Sequence, residues 1–428
     1  MIKKPFFSFG KPKLQYSVVD GSQQDVAKEI PLPAKVTLLQ RHSDDISGDI
    51  VLKVGDNVKT GQRLEPFGEG KGNMISTATG TITDISQKIG YLGQSYTAIT
   101  ITTVKKDQWC EEFKNTGKTP SPQNSLKFFT CLPGNPDFAS LLNEQAPVDT
   151  IVINGVDKDL LVTANQFIVN TRADDLAAGV DFLKEITGIN RVIIVVPDYL
   201  ASQAGKTGAE VKVIGPAYPN TLPELIAQNV LAKVVPVGKK CEEIGVGFIN
   251  AETVAALKTA FNEEKVPTTK TLTVIDKNYS KTTVTARIGT SVKDILAFLN
   301  IETKHGDRLV LGGPMSGHDI YSDDMPILPD SDAIMVQDKE QVLSNSDNPC
   351  VNCGECVRAC PAKVPVNMLI RLLENGLYEE AANDYDLLSC IECGLCSYVC
   401  LERIPIFHYI MLGKHEFALI KNAEESNA

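Results

Sequence analysis

The sequence predicts a multidomain α+β protein that ends in a helical, cysteine-rich domain. Three observations support this fold class. Short apolar strands separated by glycine turns fill the first quarter of the chain, strand–helix–strand alternation starts at Thr150, and eight of the 11 cysteines lie in two runs from Cys350 onward. At 428 residues the chain is too long for one hydrophobic core, so it is expected to divide into several domains.

Composition excludes some classes of function. A hydrophobic content of 43% with 22% charged residues is ordinary for a globular protein. The formal net charge of -11 argues against a nucleic-acid partner, because phosphate contacts need clustered Lys and Arg. No signal-peptide pattern is present, and no apolar run approaches the roughly 20 residues of a spanning helix. We therefore expect no transmembrane segment in this chain.

Residues 1–110 are predicted to form a polar N-terminal arm and a small β domain. Gly55–Asp56 and Gly61–Gln62 are turn dipeptides between brief apolar strands. This pattern resembles the barrel-sandwich of biotinyl and lipoyl carrier domains. Such carriers present a modifiable lysine on a hairpin, whereas no lysine stands beside Met74 and Lys71 is out of place. We therefore predict a structural barrel-sandwich domain without a carrier function.

Residues 125–265 are predicted to form a Rossmann-like α/β domain, which follows a polar linker at 105–125. The run Thr150–Asn154 is apolar, helical spacing extends over 174–186, and Arg191–Val196 is a continuous apolar strand. The order strand, helix, strand is typical of a βαβ unit in a parallel sheet.

Residues 266–340 are predicted to form a β-grasp domain of the SLBB-like kind. Two alternating, β-branched strands at Lys270–Asp276 and Lys281–Arg287 form a hairpin. A helix with Ser291 near its N-cap follows, and then the strand Arg308–Leu311. The order hairpin, helix, strand indicates this layout.

Residues 341–428 are predicted to form a helical domain with two [4Fe–4S] clusters. Both cysteine runs have the spacing C-x2-C-x2-C-x3-C, which is that of bacterial two-cluster ferredoxins. In those proteins the fourth cysteine of each run ligates the other cluster. We therefore predict one cluster on Cys350, Cys353, Cys356 and Cys400, and the other on Cys390, Cys393, Cys396 and Cys360.

Two short helices are predicted between the runs, and their junction at Gly376 would bring Cys360 close to Cys390. Structural zinc is one alternative for these cysteines, although zinc usually takes separated C-x2-C pairs. Disulfides are another, but they need an oxidising compartment. Four further residues are expected to shield the clusters and tune their potentials: Pro361, Val364, Ile391 and Ile404.

The order of these four domains resembles that of the RnfC family, which is the C subunit of the Rnf complex. The Rnf complex is an ion-translocating membrane complex that moves electrons between ferredoxin and NAD. The resemblance covers nearly the whole chain and is carried by the turns at 55–56, 61–62 and 312–315 and by the cysteine runs with Pro361. It implies that the α/β domain is related to the flavin- and NADH-binding subunit of respiratory complex I. It also implies a peripheral position at the cytoplasmic face of the cell membrane.

Two segments depart from the pattern of NADH-using relatives. Those relatives carry the loop G-x-G-G-A-x-F-P-T, whose backbone amides can approach phosphate. Here the stretch Leu132–Ser140 has one glycine, two prolines and Asp137 where a phosphate would lie. The family's N-G-A-E-C-E-P-Y segment appears as Asn154–Leu161, which keeps Asn-Gly and two acidic residues but no cysteine. These departures predict poor FMN binding, with the fold retained as a scaffold.

Three functions remain open. The first is an electron-transfer subunit of an ion-translocating oxidoreductase, which relays electrons between a soluble donor, ferredoxin, and other subunits. The second is an FMN-containing subunit that oxidises NADH, and the third is a soluble iron–sulfur adaptor protein. No catalytic residue is predicted, because the five histidines form no recognisable constellation: His42, His305, His318, His408 and His415.

Overall fold

The structure, a computed structural model, describes five stretches of the chain: residues 12–19, 26–42, 50–68, 74–129 and 131–427. Most of the predicted N-terminal arm and Lys71 lie outside the described residues. Buried apolar side chains gather in separate clusters along the chain. Separate cores agree with the predicted multidomain α+β class.

The first domain is a curled antiparallel half-barrel. The first seven strands are β1 (Lys28–Glu29), β2 (Lys35–Arg41), β3 (Asn57–Val58), β4 (Arg63–Leu64), β5 (Met74–Ile75), β6 (Gly80–Ile89) and β7 (Ser95–Thr103). Strands β2, β7, β6 and β3 form one sheet in that order, and β4 pairs with β5 beside it. The long β6–β7 hairpin buries Ile82, Ile99 and Ile101 completely, so it forms the centre of this domain's core.

The segment 105–125 is not a linker, contrary to the prediction. It contains a π-helical turn at Phe113–Gly117 and the start of helix α1 (Pro122–Phe128). The Phe113 ring is 1% exposed and meets Phe128 edge-on, with 5.2 Å between ring centroids. The prediction was wrong because it weighed Pro, Gly and Asn and overlooked a single aromatic side chain, whose burial fixes the segment against the next domain.

The α/β domain contains a four-stranded parallel sheet. Its elements are α2 (Phe138–Leu141), β8 (Thr150–Asn154), α3 (Ala164–Thr171), α4 (Ala173–Thr187), β9 (Arg191–Val196), α5 (Ala201–Ala204), β10 (Glu210–Val213), α6 (Pro223–Leu231), β11 (Val246–Asn250) and α7 (Ala251–Glu263). The strand order is β10, β9, β8, β11, and all pairs are parallel, which confirms the predicted βαβ organisation. Helix α4 packs closely on α7, since a Cβ at Gly179 would lie 1.9 Å from the Val254 carbonyl oxygen.

The third domain has a mixed six-stranded sheet. Its elements are β12 (Thr269–Ile275), β13 (Lys281–Arg287), α8 (Val292–Phe298), β14 (Arg308–Leu311), β15 (His318–Ile320) and β16 (Ala333–Gln337). The strand order is β1, β13, β12, β16, β14, β15, so a strand near the N-terminus completes this sheet. The predicted N-cap is confirmed, because the Ser291 hydroxyl accepts a hydrogen bond from the Asp294 amide at 3.1 Å.

The last domain is helical, as predicted. Its helices are α9 (Glu355–Ala359), α10 (Val366–Leu373), α11 (Tyr378–Asp384), α12 (Leu395–Val399) and α13 (Ile406–Asn427). Helix α13 packs across α10 and α11, where a Cβ at Gly413 would lie 2.4 Å from Leu373. Across the described ranges, no helix combines the length and apolar character needed to cross a membrane.

Candidate iron–sulfur site

The two cysteine runs have the same local backbone. Three pairs of equivalent residues share a left-handed φ: Asn352 and Glu392 (53° and 57°), Gly354 and Gly394 (75° and 68°), and Lys363 and Arg403 (58° and 56°). A short helix follows the glycine of each run, α9 in the first and α12 in the second. The last domain therefore contains an internal repeat, with three cysteines on each loop and helix start.

The fourth cysteine of each run stands at the end of the short helix. Cys360 and Cys400 are the C-caps of α9 and α12, with extended ψ values of 119° and 120°. The chain leaves the helix at these points, so each thiol lies apart from the loop of its own run. This geometry allows each fourth cysteine to approach the opposite loop.

One group of thiols, here called the first quartet, consists of Cys350, Cys353, Cys356 and Cys400. These four cysteines line the same small cavity. Burial raises the pKa of the Cys356 thiol to about 11, and the neighbouring charges of the other three add to this rise. The structure thus brings Cys400 to the three cysteines with which the sequence analysis grouped it.

The second quartet consists of Cys360, Cys390, Cys393 and Cys396. Burial raises the pKa of the Cys393 thiol to about 12, with further contributions from Cys390 and Cys360. Burial also raises the pKa of Cys396, and Cys390 and Cys393 add to that shift. Cys360 is therefore close enough to Cys390 and Cys393 to raise their pKa values, which agrees with the predicted grouping.

The donor set fits iron–sulfur clusters. Buried thiols with raised pKa values keep their protons until a metal replaces them, so cluster assembly would release protons here. In the part of the chain that the structure describes, no three His, Cys, Asp or Glu side chains form a group that could hold a single metal ion. A [4Fe–4S] cluster takes four thiolates on four separate irons, and each quartet contains four cysteines.

Backbone amides point at several of these sulfurs. The Glu392 amide donates to Cys390 Sγ at 3.5 Å. For three buried thiols, burial raises the pKa and a backbone amide partly offsets the rise. The amide of Val357 acts on Cys356, that of Leu395 on Cys393, and that of Ser397 on Cys396. Such donors stabilise negative charge on sulfur and tune a bound cluster.

The predicted shielding residues lie around the quartets. Val364 and Ile404 are buried in the hydrophobic cluster that includes Cys356, Cys393 and Cys396, and Ile391 packs against it. Pro361 is half-buried directly after Cys360. These apolar groups limit the access of water to the sulfurs, which is one of the factors that set cluster potentials.

The two quartets differ in exposure. In the first, Cys353 is exposed and the adjacent Val351 is 58% exposed. In the second, Cys393 and Cys396 are buried, and a Cβ at Gly394 would lie 2.2 Å from the carbonyl oxygen of Met315 in the third domain. The first quartet therefore faces solvent, whereas the second is enclosed by neighbouring domains.

Two contacts of the second quartet were missed by the sequence analysis. The Tyr218 hydroxyl donates to the Cys393 carbonyl oxygen at 2.6 Å, and Lys414 Nζ donates to the Cys390 carbonyl oxygen at 2.6 Å. Tyr218 belongs to the α/β domain, and Lys414 lies on α13. Neither residue has a local sequence signal, because each is brought to the cluster loop only by tertiary folding.

The loop at 132–140, which the sequence analysis compared with a phosphate-binding loop, uses several of its polar groups internally. The Gly134 amide donates to the Pro329 carbonyl oxygen at 2.6 Å. The Asp137 carboxylate accepts from the Ser140 amide at 3.0 Å at the start of α2. A bonded amide and a nearby carboxylate both disfavour an anionic phosphate at this loop.

The two acidic residues of the 154–161 segment are also structural. Asp157 is buried and accepts from the Asn165 amide at 2.8 Å. Asp159 accepts from the Ser316 amide at 2.7 Å, and a Cβ at Gly313 would lie 2.5 Å from its carboxyl carbon. The glycine-rich turn at 312–317 therefore lets the third domain approach this carboxylate, which supports a structural role for the turn.

The fold and the site define an iron–sulfur protein in which a dicluster domain is joined to an α/β domain of the flavin-subunit type. A family model described as a 4Fe-4S dicluster domain matches residues 343–401. A second, described as the Nuo51 FMN-binding domain, matches residues 138–259. These matches confirm the predicted two-cluster domain and the predicted relation to the flavin subunit of complex I.

The chain is similar to the C subunits of ion-translocating oxidoreductase complexes, as the sequence analysis predicted. It is 27% identical over 412 residues to the C subunit of the proton-translocating ferredoxin:NAD(+) oxidoreductase complex of Clostridium ljungdahlii, covering 90% of this chain and 89% of the relative. It is also 27% identical to the C subunits of the ion-translocating oxidoreductase complexes of Pectobacterium atrosepticum and Serratia proteamaculans. Those alignments cover 86% and 82% of this chain but only 56% and 53% of the longer relatives.

Among solved structures, the air-oxidized NAD+-reducing [NiFe]-hydrogenase has a chain that aligns with a TM-score of 0.46 and 13% sequence identity. The alignment covers 71% of this chain and 63% of that chain.

Proposed function

We propose that this chain is the electron-transfer subunit of an Rnf-type ion-translocating oxidoreductase complex. The observation that carries the proposal is the arrangement of eight thiols in two quartets, each with three cysteines from one run and one from the other. The similarity to the C subunits of such complexes supports the assembly. The chain would act at the cytoplasmic face of the cell membrane, as a peripheral partner of the other subunits.

The eight cysteines would hold two [4Fe–4S] clusters, each of which can accept and release one electron. The exposed side of the first quartet, at Cys353, is accessible to a soluble donor, for which we propose ferredoxin. The second quartet is enclosed by the α/β and third domains. The exposure of the first quartet and the burial of the second support a relay of electrons from the surface towards the body of the complex.

The remaining domains serve as a scaffold in this proposal. We assign residues 1–110 to the arm and a barrel-sandwich domain, 125–265 to a Rossmann-like domain, 266–340 to a β-grasp domain and 341–428 to the cluster domain. The packing of the 105–125 segment on the α/β core, through Phe113, adds this segment to the second of these units.

A second candidate is an FMN-containing subunit that oxidises NADH. The match of residues 138–259 to an FMN-binding domain favours it. The bonded Gly134 amide and the Asp137 carboxylate oppose it, because free amides attract an anionic phosphate and a carboxylate repels it. We therefore place electron relay first and assign no step to a flavin.

Analysis of iron, acid-labile sulfide, zinc and flavin in the anaerobically purified chain tests the proposal. About eight irons and no flavin would support the relay. The same iron content with one FMN that is bleached by NADH would favour the second candidate, and zinc in place of iron would contradict both. Co-purification in mild detergent tests the assembly, because a cluster-loaded chain that binds no membrane subunits would indicate a soluble adaptor.

A further inference from the structure

A lysine ammonium group is fixed beside the second quartet. Lys414 Nζ donates to the Cys390 carbonyl oxygen at 2.6 Å and to the Glu392 carboxylate at 2.7 Å. Its side chain is 19% exposed. Two acceptors on one cluster loop therefore hold the cation at a defined place where water screens its charge only weakly.

The charge already acts on a ligand sulfur. Burial raises the pKa of the Cys390 thiol, and Lys414 is the largest opposing influence. A group that stabilises a thiolate by its positive charge also stabilises the additional negative charge of a reduced cluster. The Glu392 carboxylate offsets part of this effect, so removal of Lys414 would leave an uncompensated negative charge near the loop.

The internal repeat provides a natural comparison. The position equivalent to Lys414 in the first repeat is Glu374, which is exposed at the end of α10. The position equivalent to Glu392 is Asn352, whose side-chain oxygen accepts from Asn367 Nδ2 at 2.8 Å. The first loop is thus fixed by a neutral amide pair, and the second is fixed by an ion pair.

The first quartet has a cation of its own, but a weaker one. Arg358 donates to the Cys353 carbonyl oxygen at 3.3 Å and also pairs with Glu355. Its side chain is 59% exposed, so solvent and salt screen its charge. The less exposed Lys414 ammonium at the second quartet is therefore the main electrostatic difference between two otherwise equivalent loops.

We propose that Lys414 is a positioning residue that raises the reduction potential of the cluster held by the second quartet and does not act on the first. It thereby favours residence of the transferred electron at the enclosed site. This inference rests on the proposed function, since it requires that both clusters are present.

The test is an EPR-monitored redox titration of the anaerobically purified full chain. Lys414→Met is expected to lower one of the two midpoint potentials and to leave the other unchanged, whereas Lys414→Arg keeps both near the wild-type values. Lys421→Met is the matched control, because this exposed lysine of the same helix pairs with Glu424. Its titration is expected to match that of the wild type.

Unchanged midpoints in Lys414→Met with both clusters assembled would overturn the inference and leave the relay intact. Absence of two clusters from the wild-type chain would instead overturn the proposed function. If the Lys414→Met variant does not assemble its clusters, Glu392→Gln provides a second test, because it keeps the Lys414 ammonium and removes the carboxylate that pairs with it. This variant should raise the same midpoint, and a midpoint that stays or falls would contradict the proposal.

Discussion

The Tyr218 hydroxyl donates a hydrogen bond to the carbonyl oxygen of Cys393 across 2.6 Å, although the two residues are 175 positions apart in the chain. Both residues are buried, and the Tyr16 ring packs against Tyr218 with 5.2 Å between centroids. A loop that carries cysteines of the second quartet is therefore attached to the α/β domain by a polar contact beside an aromatic pair. The contact links the α/β domain to the second quartet.

Replacement of Tyr218 by Phe tests this attachment. The variant leaves the Cys393 carbonyl oxygen buried without its donor, which should cost about 1–3 kcal/mol. We expect a lower melting temperature and faster loss of visible cluster absorbance on exposure to a chelator. Tyr199→Phe is the matched control, because it removes a bond to Gln166 in the same domain at 2.6 Å. Equal cluster loss in the two variants would contradict the attachment.

Alanine substitutions at the two equivalent glycines should differ in effect. Gly394→Ala places a Cβ 2.2 Å from the Met315 carbonyl oxygen, whereas the nearest group to a Cβ at Gly354 is Arg358 Nη1 at 3.7 Å. Both variants bear the left-handed φ penalty of about 1–2 kcal/mol. Only Gly394→Ala adds a clash, worth a further 1–3 kcal/mol or so. Thermal unfolding followed by circular dichroism measures the difference, and similar melting temperatures would show that the domains are not in contact there.

Pairs of serine substitutions distinguish crossed from uncrossed ligation. Cys350→Ser with Cys400→Ser removes two ligands of the first quartet, so about four irons should remain on the second. Cys350→Ser with Cys360→Ser removes one ligand from each quartet and should lower the iron content further or weaken both clusters. Iron analysis and EPR spectra measure the outcome. The reverse order of iron contents would indicate that each run holds its own cluster.

The buried carboxyl of Asp157 should make stability depend on pH. Burial raises its pKa from 3.8 to about 6, with a smaller contribution from Asp332. The folded state therefore binds this proton more tightly than the unfolded state, so the stabilisation is present at low pH and is lost as the pH rises through about 6. Asp157→Asn removes this dependence.

Relative to the wild type, the Asp157→Asn variant should gain about 1 kcal/mol in unfolding free energy between pH 5 and 7. Melting temperatures of both proteins across this range measure the gain. A constant difference between the two proteins would show that Asp157 does not titrate there.

Local patterns predicted much of the fold. Strands β12 and β13 follow from alternating β-branched residues, and the start of α8 follows from the Ser291 cap. Helix α7 was not predicted because its residues are buried on nearly all sides, as shown by the fully buried run Ala251–Leu257. Such a helix lacks the amphipathic period on which sequence reasoning depends.

The candidate site was predictable only in part. The cysteine spacing is local and identifies the two runs, while the backbone repeat around Gly354 and Gly394 explains why that spacing recurs. Tyr218 and Lys414 reach the second quartet from distant segments, so no spacing rule reveals them. The same limitation applies to Phe113, because most of the residues in its hydrophobic cluster are distant from it in sequence.

The shared cavity of Cys350, Cys353, Cys356 and Cys400 has a consequence for biosynthesis. A ribosome delivers the first three thiols well before the fourth, so a nascent chain offers only an incomplete site to any iron donor. Loading of the first quartet therefore has to wait until Cys400 has been translated. Maturation of this quartet is therefore expected to follow synthesis of the second cysteine run, and truncation between Cys356 and Cys400 should prevent it.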